Sequence, residues 1–252
     1  MGWTDAALLE LFGEVAKAVR GALDALDNWG PTGTRLGQYH CDVAADAVAL
    51  DLLDRAGVGV LSEESGLRRA DAEVVVVIDP IDGSTNASQG IPWFATSLCA
   101  IDADGLLAAL VVNQASGTRF TATRGGGAFR DGAPIRASGC VALSDAIVGL
   151  SGLPDRHWGW RQCRMLGAAA LDLCAVASGV LDAFADCSHD AHGLWDYAAG
   201  LLICREAGAV TRDARDRELV VVAHQARRTP LAAASPELLE AIYMSRKSLD
   251  EP

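Results

Sequence analysis

Two aspartates three residues apart, Asp79 and Asp82, stand at the end of the apolar run Val74–Ile78, in the stretch Asp79-Pro80-Ile81-Asp82-Gly83-Ser84-Thr85-Asn86. Hard oxygen ligands at the mouth of a buried strand suit Mg2+, which takes one or two carboxylates with water and substrate phosphate. Pro80 fixes its own φ and has no N–H, so the chain is expected to leave the strand there and turn. The Ile81 carbonyl is then free to face the same point as both acids. Gly83-Ser84-Thr85 follows at once. Glycine lets an anion approach the backbone, and the next amides open a helix whose N-terminus attracts phosphate. The same residue types are ordinary turn formers, so a capped turn with no ligand is the competing reading. Two further acids could complete a centre for two cations. Glu63, in Leu61-Ser62-Glu63-Glu64, ends the preceding predicted strand, or is an exposed loop acid. Asp196 opens a helix after Trp195, where aspartate is also a favoured cap.

The elements that must position these acids follow from periodicity. Leu8, Phe12, Val15, Val19, Ala22 and Leu26 step by threes and fours, predicting a helix that ends near Asn28-Trp29-Gly30. Val43, Ala47, Leu50 and Leu53 repeat that period up to Gly57. Residues 58–64 read as a short strand, and residues 74–78 as a strand too uniformly apolar to be solvated on either face. Residues 93–101 and 106–114, joined by Asp102-Ala103-Asp104-Gly105, predict a hairpin, and residues 117–135 continue the meander. Further helices are expected from Arg164 to Ser178, from Asp196 to Gly208 and over Pro236–Met244, with strands at Ala209–Thr211 and Val220–Ala223 finishing the sheet. The expectation is one cooperative α+β unit, an antiparallel sheet with covering helices.

Bulk composition narrows the partners. With 33 acidic against 21 basic residues the net charge is −12, which argues against nucleic acid or an anionic membrane surface as the main partner. Bridging divalent cations would still let an acidic protein bind an anionic substrate. The seven cysteines (41, 99, 140, 163, 174, 187 and 204) show no CxxC spacing, and several lie in apolar runs, so they read as reduced thiols of a cytoplasmic protein. The N-terminus lacks a basic segment followed by a long apolar one, and no apolar stretch reaches membrane-spanning length.

The stretches Ile78–Asn86, Ser62-Glu63-Glu64, Thr123–Ile135, Leu166–Phe184 and Trp195–Ala209 together resemble the inositol monophosphatase family of Mg2+-dependent, lithium-sensitive phosphatases. The resemblance covers most of the chain. It implies a layered αβαβα sandwich of the sugar-phosphatase type, one compact unit with an N-terminal α+β lobe to about residue 140 and a C-terminal α/β lobe beyond it. It implies Glu63, Asp79, the Ile81 carbonyl, Asp82 and Asp196 as ligands of two or three Mg2+, and Gly83, Ser84 and Thr85 as the phosphate cradle. Glu63 and Ser84 would place the attacking water, with Asp46 as the partner of the Ser84 hydroxyl. Ala169 falls where the family's chain touches substrate, or is a small helix-packing residue. A small phosphorylated metabolite as substrate and a homodimer are further implications.

The chain departs from the family's pattern in two places. Asn86 is followed by Ala87, where the family usually has Phe, so a pocket wall is smaller or more polar. The family's glutamate seven residues before the metal aspartate is His189 here, and the stretch Phe184–Asp196 is about three residues longer. Asp186, His189 and His192 are therefore the candidates for reading the substrate, which leaves inositol phosphate itself open. Fructose-1,6-bisphosphatase, 3′(2′),5′-bisphosphate nucleotidase and histidinol-phosphate phosphatase activities are the alternatives, and a non-catalytic metal- or phosphate-binding relative is a more distant one. The cluster Cys187, His189, Asp190 and His192 would also suit zinc, and the arginines at 68–69, 212–217 and 227–228 are solvated loop charge or substrate-recruiting groups.

Overall fold

The structure, a computed structural model, describes residues 2–34 and 37–247. The chain starts with α1 (Asp5–Asp24) and α2 (His40–Ala56), followed by β1 (Gly59–Ser62), β2 (Gly66–Arg68) and β3 (Val75–Asp82). After α3 (Ser84–Gln89) come β4 (Ala95–Asp102), β5 (Gly105–Asn113), β6 (Arg119–Thr123), β7 (Gly127–Arg130) and β8 (Ala133–Pro134). The second half holds β9 (Ile147–Ser151), β10 (Gln162–Arg164), α4 (Ala169–Ala177), β11 (Ala183–Asp186), α5 (Leu194–Glu206), β12 (Val210–Asp213), β13 (Pro230–Ala233) and α6 (Pro236–Lys247).

The strands form two sheets, where the periodicity pointed to one. The first has the order β2-β1-β3-β4-β5-β6-β7-β8 and is antiparallel apart from the parallel β1–β3 pair. The second runs β10-β9-β11-β13-β12, with β9 parallel to both of its neighbours. Layering follows from which faces are apolar. α1 and α2 bury Leu8, Phe12, Val15, Ala45 and Leu53 against one face of the first sheet. Helices α4 and α5 lie between the sheets, and α6 covers the outer face of the second through Leu238, Leu239 and Ile242. All nine residues of α4 are buried, eight of them apolar and the ninth, Asp172, accepting from Trp93 Nε1 at 2.8 Å, as suits a helix inside a core. Gly200 lets α5 approach α4: a Cβ there would stand 2.6 Å from the Leu173 side chain. The result is the αβαβα sandwich. Among the described residues, no helix is long and apolar enough to cross a membrane.

Three local expectations are corrected. The helix expected from Arg164 begins at Ala169, because Arg164 belongs to β10 and Gly167 adopts a φ of +85°. Val220–Ala223 is not a strand: the Ala223 amide bonds back to the Val221 carbonyl at 2.8 Å, and Val220 and Val222 pack on the central core instead. Its place in the sheet is taken by β13. Strand β3 does not stop at Pro80 but runs to Asp82.

Candidate active site

In a regular strand, residues 79 and 82 would face opposite sides. Here Asp79 lies opposite Ser97 and Asp82 opposite Ala95, so three residues of β3 span two of β4. That bulge takes up Pro80, whose carbonyl accepts from Thr96 Oγ1 at 2.9 Å, and re-aims the strand end so that both acids face Asp196. Ile81 is buried within the bulge, and its amide donates to Asp79 Oδ1 at 3.0 Å. The Asp82 carboxylate accepts from the amides of Ala169 (3.2 Å) and Ala170 (2.7 Å) at the start of α4. Ala169 thus contributes its backbone to a site acid.

Asp196 is in the first turn of α5, and its Oδ2 accepts from the Gly193 amide at 2.7 Å. Gly193 has to be glycine, since a Cβ there would fall 2.4 Å from the Trp195 ring. Glu63 follows β1, and its carbonyl lies 3.1 Å from His224 Nε2. One carboxylate oxygen from each of Glu63, Asp79 and Asp196 falls within 4.8 Å of the others.

Burial and crowding make these acids costly to ionise together. Burial, then Asp196 and Glu64, push Glu63 from its ordinary 4.5 up to about 8. Asp79 is raised well above the carboxylate range by burial and then by Glu63 and Asp82, and Asp82 by burial and then by Asp196. A divalent cation would relieve that repulsion, and the donors are all hard oxygens, so the residues fit Mg2+.

Next to the acids, Gly83 has a φ of +85°, and a Cβ there would meet the Gly167 and Trp93 carbonyls and Ala168 at 3.0–3.1 Å. Asn86 Nδ2 donates to the carbonyls of Trp93 and Leu166, each at 2.7 Å, which pins the Gly83–Thr85 turn to the entry of α4. Tyr39 Oη is 3.0 Å from Thr85 Oγ1.

The partner expected for Ser84 has to be corrected. Asp42, not Asp46, lies beside the Ser84 side chain, and burial raises its carboxyl to about 7 against the smaller, lowering effect of that side chain. The Asp46 carboxylate accepts from Ser62 Oγ at 2.5 Å and from Ser65 Oγ, bracing the turn that carries Glu63. Asp42 and Asp46 are one helical turn apart on the same face of α2, so periodicity could not choose between them.

The leaving-group side also differs from expectation. Asp186 ends β11 with 0% exposure, its Oδ1 accepting from the Ser188 amide at 2.8 Å, so it is sealed from any substrate. His192 stands in front of it, Nε2 3.7 Å from Asp186 Oδ2 and Nδ1 3.4 Å from Asp196 Oδ2. His189 is exposed and lies against Arg215, 3.0 Å away. The zinc alternative dissolves with it: Asp190 pairs with Arg215 and Arg217, and Cys187 is buried with its thiol pushed up to about 12. Sequence reasoning missed Asp42, Tyr39, Ser151 and His224 as neighbours of the site, because each reaches it from a distant element. For Asp42 alone a signal existed, its place in the first turn of α2.

Comparison with known proteins bears on the fold and the family. A profile of the inositol monophosphatase family matches residues 42–251. The inositol-1-monophosphatase of Mesorhizobium japonicum is 37% identical over 175 residues, 63% of this chain and 64% of that protein, just under two thirds of its length. The fructose-1,6-bisphosphatase/inositol-1-monophosphatase of Archaeoglobus fulgidus is 34% identical over 206 residues, covering 79% and 80% of the two chains. Nus factor SuhB of Escherichia coli is 35% identical over 194 residues, 69% and 70% of the two. A Pyrococcus horikoshii protein described as having similarities to inositol-1 monophosphatase shares the fold with a TM-score of 0.87 at 24% identity, over 96% of this chain and 99% of that one. The inositol monophosphatase of Anabaena gives a TM-score of 0.78 at 25% identity, over 98% and 97%. On that family match and that kinship, the chain belongs to the inositol monophosphatase family of phosphatases.

Proposed function

We propose that the protein is a Mg2+-dependent phosphomonoesterase acting on a small polyol, sugar or amino-alcohol phosphate. The observation that carries this reading is the convergence of Glu63, Asp79 and Asp196 oxygens within 4.8 Å beside the Gly83–Thr85 turn. Glu63, Asp79, the Ile81 carbonyl, Asp82 and Asp196 would hold two or three Mg2+. When bound, these cations supply Lewis acidity toward the phosphoryl oxygens and the leaving alkoxide.

The remaining work falls to the chain. The left-handed turn at Gly83 aims the Ser84 and Thr85 amides at the phosphate, and their hydroxyls orient it. Ser84, beside Asp42, and Glu63 position the attacking water on the line of displacement, so that Asp42 takes the role first given to Asp46. Phosphoryl transfer asks mainly for such positioning and charge neutralisation, with no covalent nucleophile. Glu63 accepts a hydrogen bond from that water. Tyr39 holds the Thr85 hydroxyl in place.

Relatives named inositol-1-monophosphatase and fructose-1,6-bisphosphatase/inositol-1-monophosphatase support substrates of that class. The likeness to a protein named Nus factor favours one second reading, work through protein contacts, against which the complete acid set speaks. We also infer a reducing, cytoplasmic setting, supported by seven free cysteines, and a homodimer.

The deciding experiment is phosphate release from a panel of phosphorylated polyols, sugars and amino alcohols in Mg2+ and in chelator. Turnover in Mg2+ alone supports the proposal, and release from no phosphomonoester would leave only the binding reading. Inhibition by lithium, but not by sodium or potassium at equal concentration, is expected alongside.

A further inference from the structure

We infer that His192 is a positioning residue that, backed by Asp186, holds the Asp196 carboxylate in its cation-binding orientation; the inference rests on the reading of Asp196 as a metal ligand. Both nitrogens of the His192 ring face protein groups. Nδ1 lies 3.4 Å from Asp196 Oδ2, while Nε2 lies 3.1 Å from Ser151 Oγ and 3.7 Å from Asp186 Oδ2. Only 14% of the side chain is exposed. Its backbone is fixed as well, since the Arg228 amide donates to the His192 carbonyl at 2.9 Å. A ring held in this way has little freedom to reach for substrate.

Asp186 behaves as its support. Its Oδ2 is buried with no hydrogen-bond partner, and the group it faces is the imidazole. A buried carboxylate oxygen without a partner is costly, and one aimed at an imidazole orients the ring. Asp186 itself is held on both sides. The Ser188 amide binds its Oδ1, and the buried Arg246 of α6 donates from Nε to the Asp186 carbonyl at 2.7 Å and from Nη2 to the Ser188 carbonyl at 2.8 Å.

At the other end of the chain, Asp196 Oδ2 already accepts from the Gly193 amide, and His192 Nδ1 stands against the same oxygen. The remaining oxygen is left to turn toward Glu63 and Asp79. Groups that orient a metal ligand from behind typically matter about 10- to 100-fold in cation affinity.

Calorimetric titration of the whole protein with Mn2+ tests this without reference to turnover. In His192→Asn the side-chain amide stands near the Nδ1 position, in His192→Gln near Nε2, and His192→Phe retains neither. The expected result is cation affinity reduced about 10-fold or more in His192→Gln and His192→Phe and retained within about threefold in His192→Asn. Asp186→Asn should weaken binding in the native background and add nothing in His192→Phe. Equal affinity in all four variants and the native protein overturns the inference while leaving the metal reading intact. Equal losses in the three His192 variants, or additive losses with Asp186→Asn, overturn it too, since they would mark packing alone. A native protein that binds no Mn2+ overturns both the inference and the assignment of Asp196 as a ligand.

Discussion

Asp79 is buried, yet four other acids, Glu63, Asp82, Asp196 and Asp42, lie close enough to raise its pKa, so its charge is tolerable only with a cation present. Asp79→Asn and Asp82→Asn should therefore each remove nearly all activity while leaving the metal-free fold as stable as before or more so, measured by thermal unfolding in chelator. Retained turnover in both would end the metal reading. The pH dependence follows from the same charges. A carboxyl whose folded pKa is raised contributes stability that is fully present below its unfolded value and is lost as pH rises through the folded one. For Glu63 that window runs from 4.5 to about 8, and Asp79, Asp82 and Asp42 act in the same direction. The melting temperature of the metal-free protein should fall from pH 5 to pH 8.5, with Mg2+ restoring most at the alkaline end. Glu63→Gln should flatten the profile, and a metal-free melting temperature that rises over this range would contradict the crowding of acids. Ser84→Ala and Asp42→Asn should each lower kcat far more than they weaken metal binding. Because they act as one unit, the double variant should be little worse than either single one.

At the scale of elements, two close approaches set the site. The β3 bulge brings Asp79 and Asp82 to one side, and the contact of α5 with α4 presents Asp196 and the Ala169–Ala170 amides together. Gly200 tests the second. On helix propensity alone, Gly200→Ala would stabilise a helix interior by roughly 0.5–1 kcal/mol. The Cβ would instead meet Leu173 at 2.6 Å, and overpacking of that kind costs about 1–3 kcal/mol. The expected sign in chemical denaturation is a loss. A gain would mean that the two helices have room to separate.

Across the whole molecule, α6 reaches the site from the outermost layer. Arg246 has 0% exposure and binds the carbonyls of Asp186 and Ser188, so the C-terminal helix holds the turn that backs His192. Arg246→Met preserves the aliphatic stem but leaves the buried Asp186 carbonyl without its donor, at about 1–3 kcal/mol, and the part-buried Ser188 carbonyl at less. Stability should drop by roughly 2–4 kcal/mol in urea, well beyond the effect of an exposed arginine such as Arg164. Equal effects at the two positions would show that the outer helix does not support the turn.

The consecutive residues Asp79 to Asn86 carry their chemistry in local order, so the sequence alone determines that acids, a glycine turn and hydroxyls stand at the end of a buried strand. Amphipathic spacing likewise determines α1 and α2, and alternating apolar runs the β4–β5 hairpin, because these patterns depend only on neighbours along the chain. Other features depend on elements far apart in sequence. A proline that looks like a strand end is carried through by a bulge against β4. Asp42 and Asp46 share a helix face, and only the docking of α2 on α3 and β1 assigns Ser84 to the first and Ser62 to the second. Asp186, which by type and position could read hydroxyls, is enclosed because β11 is a central strand of a second sheet that the periodicity did not resolve. Burial and side-chain partners arise from the packing of layers, and residue type with local spacing carries no record of which layer will lie across from it.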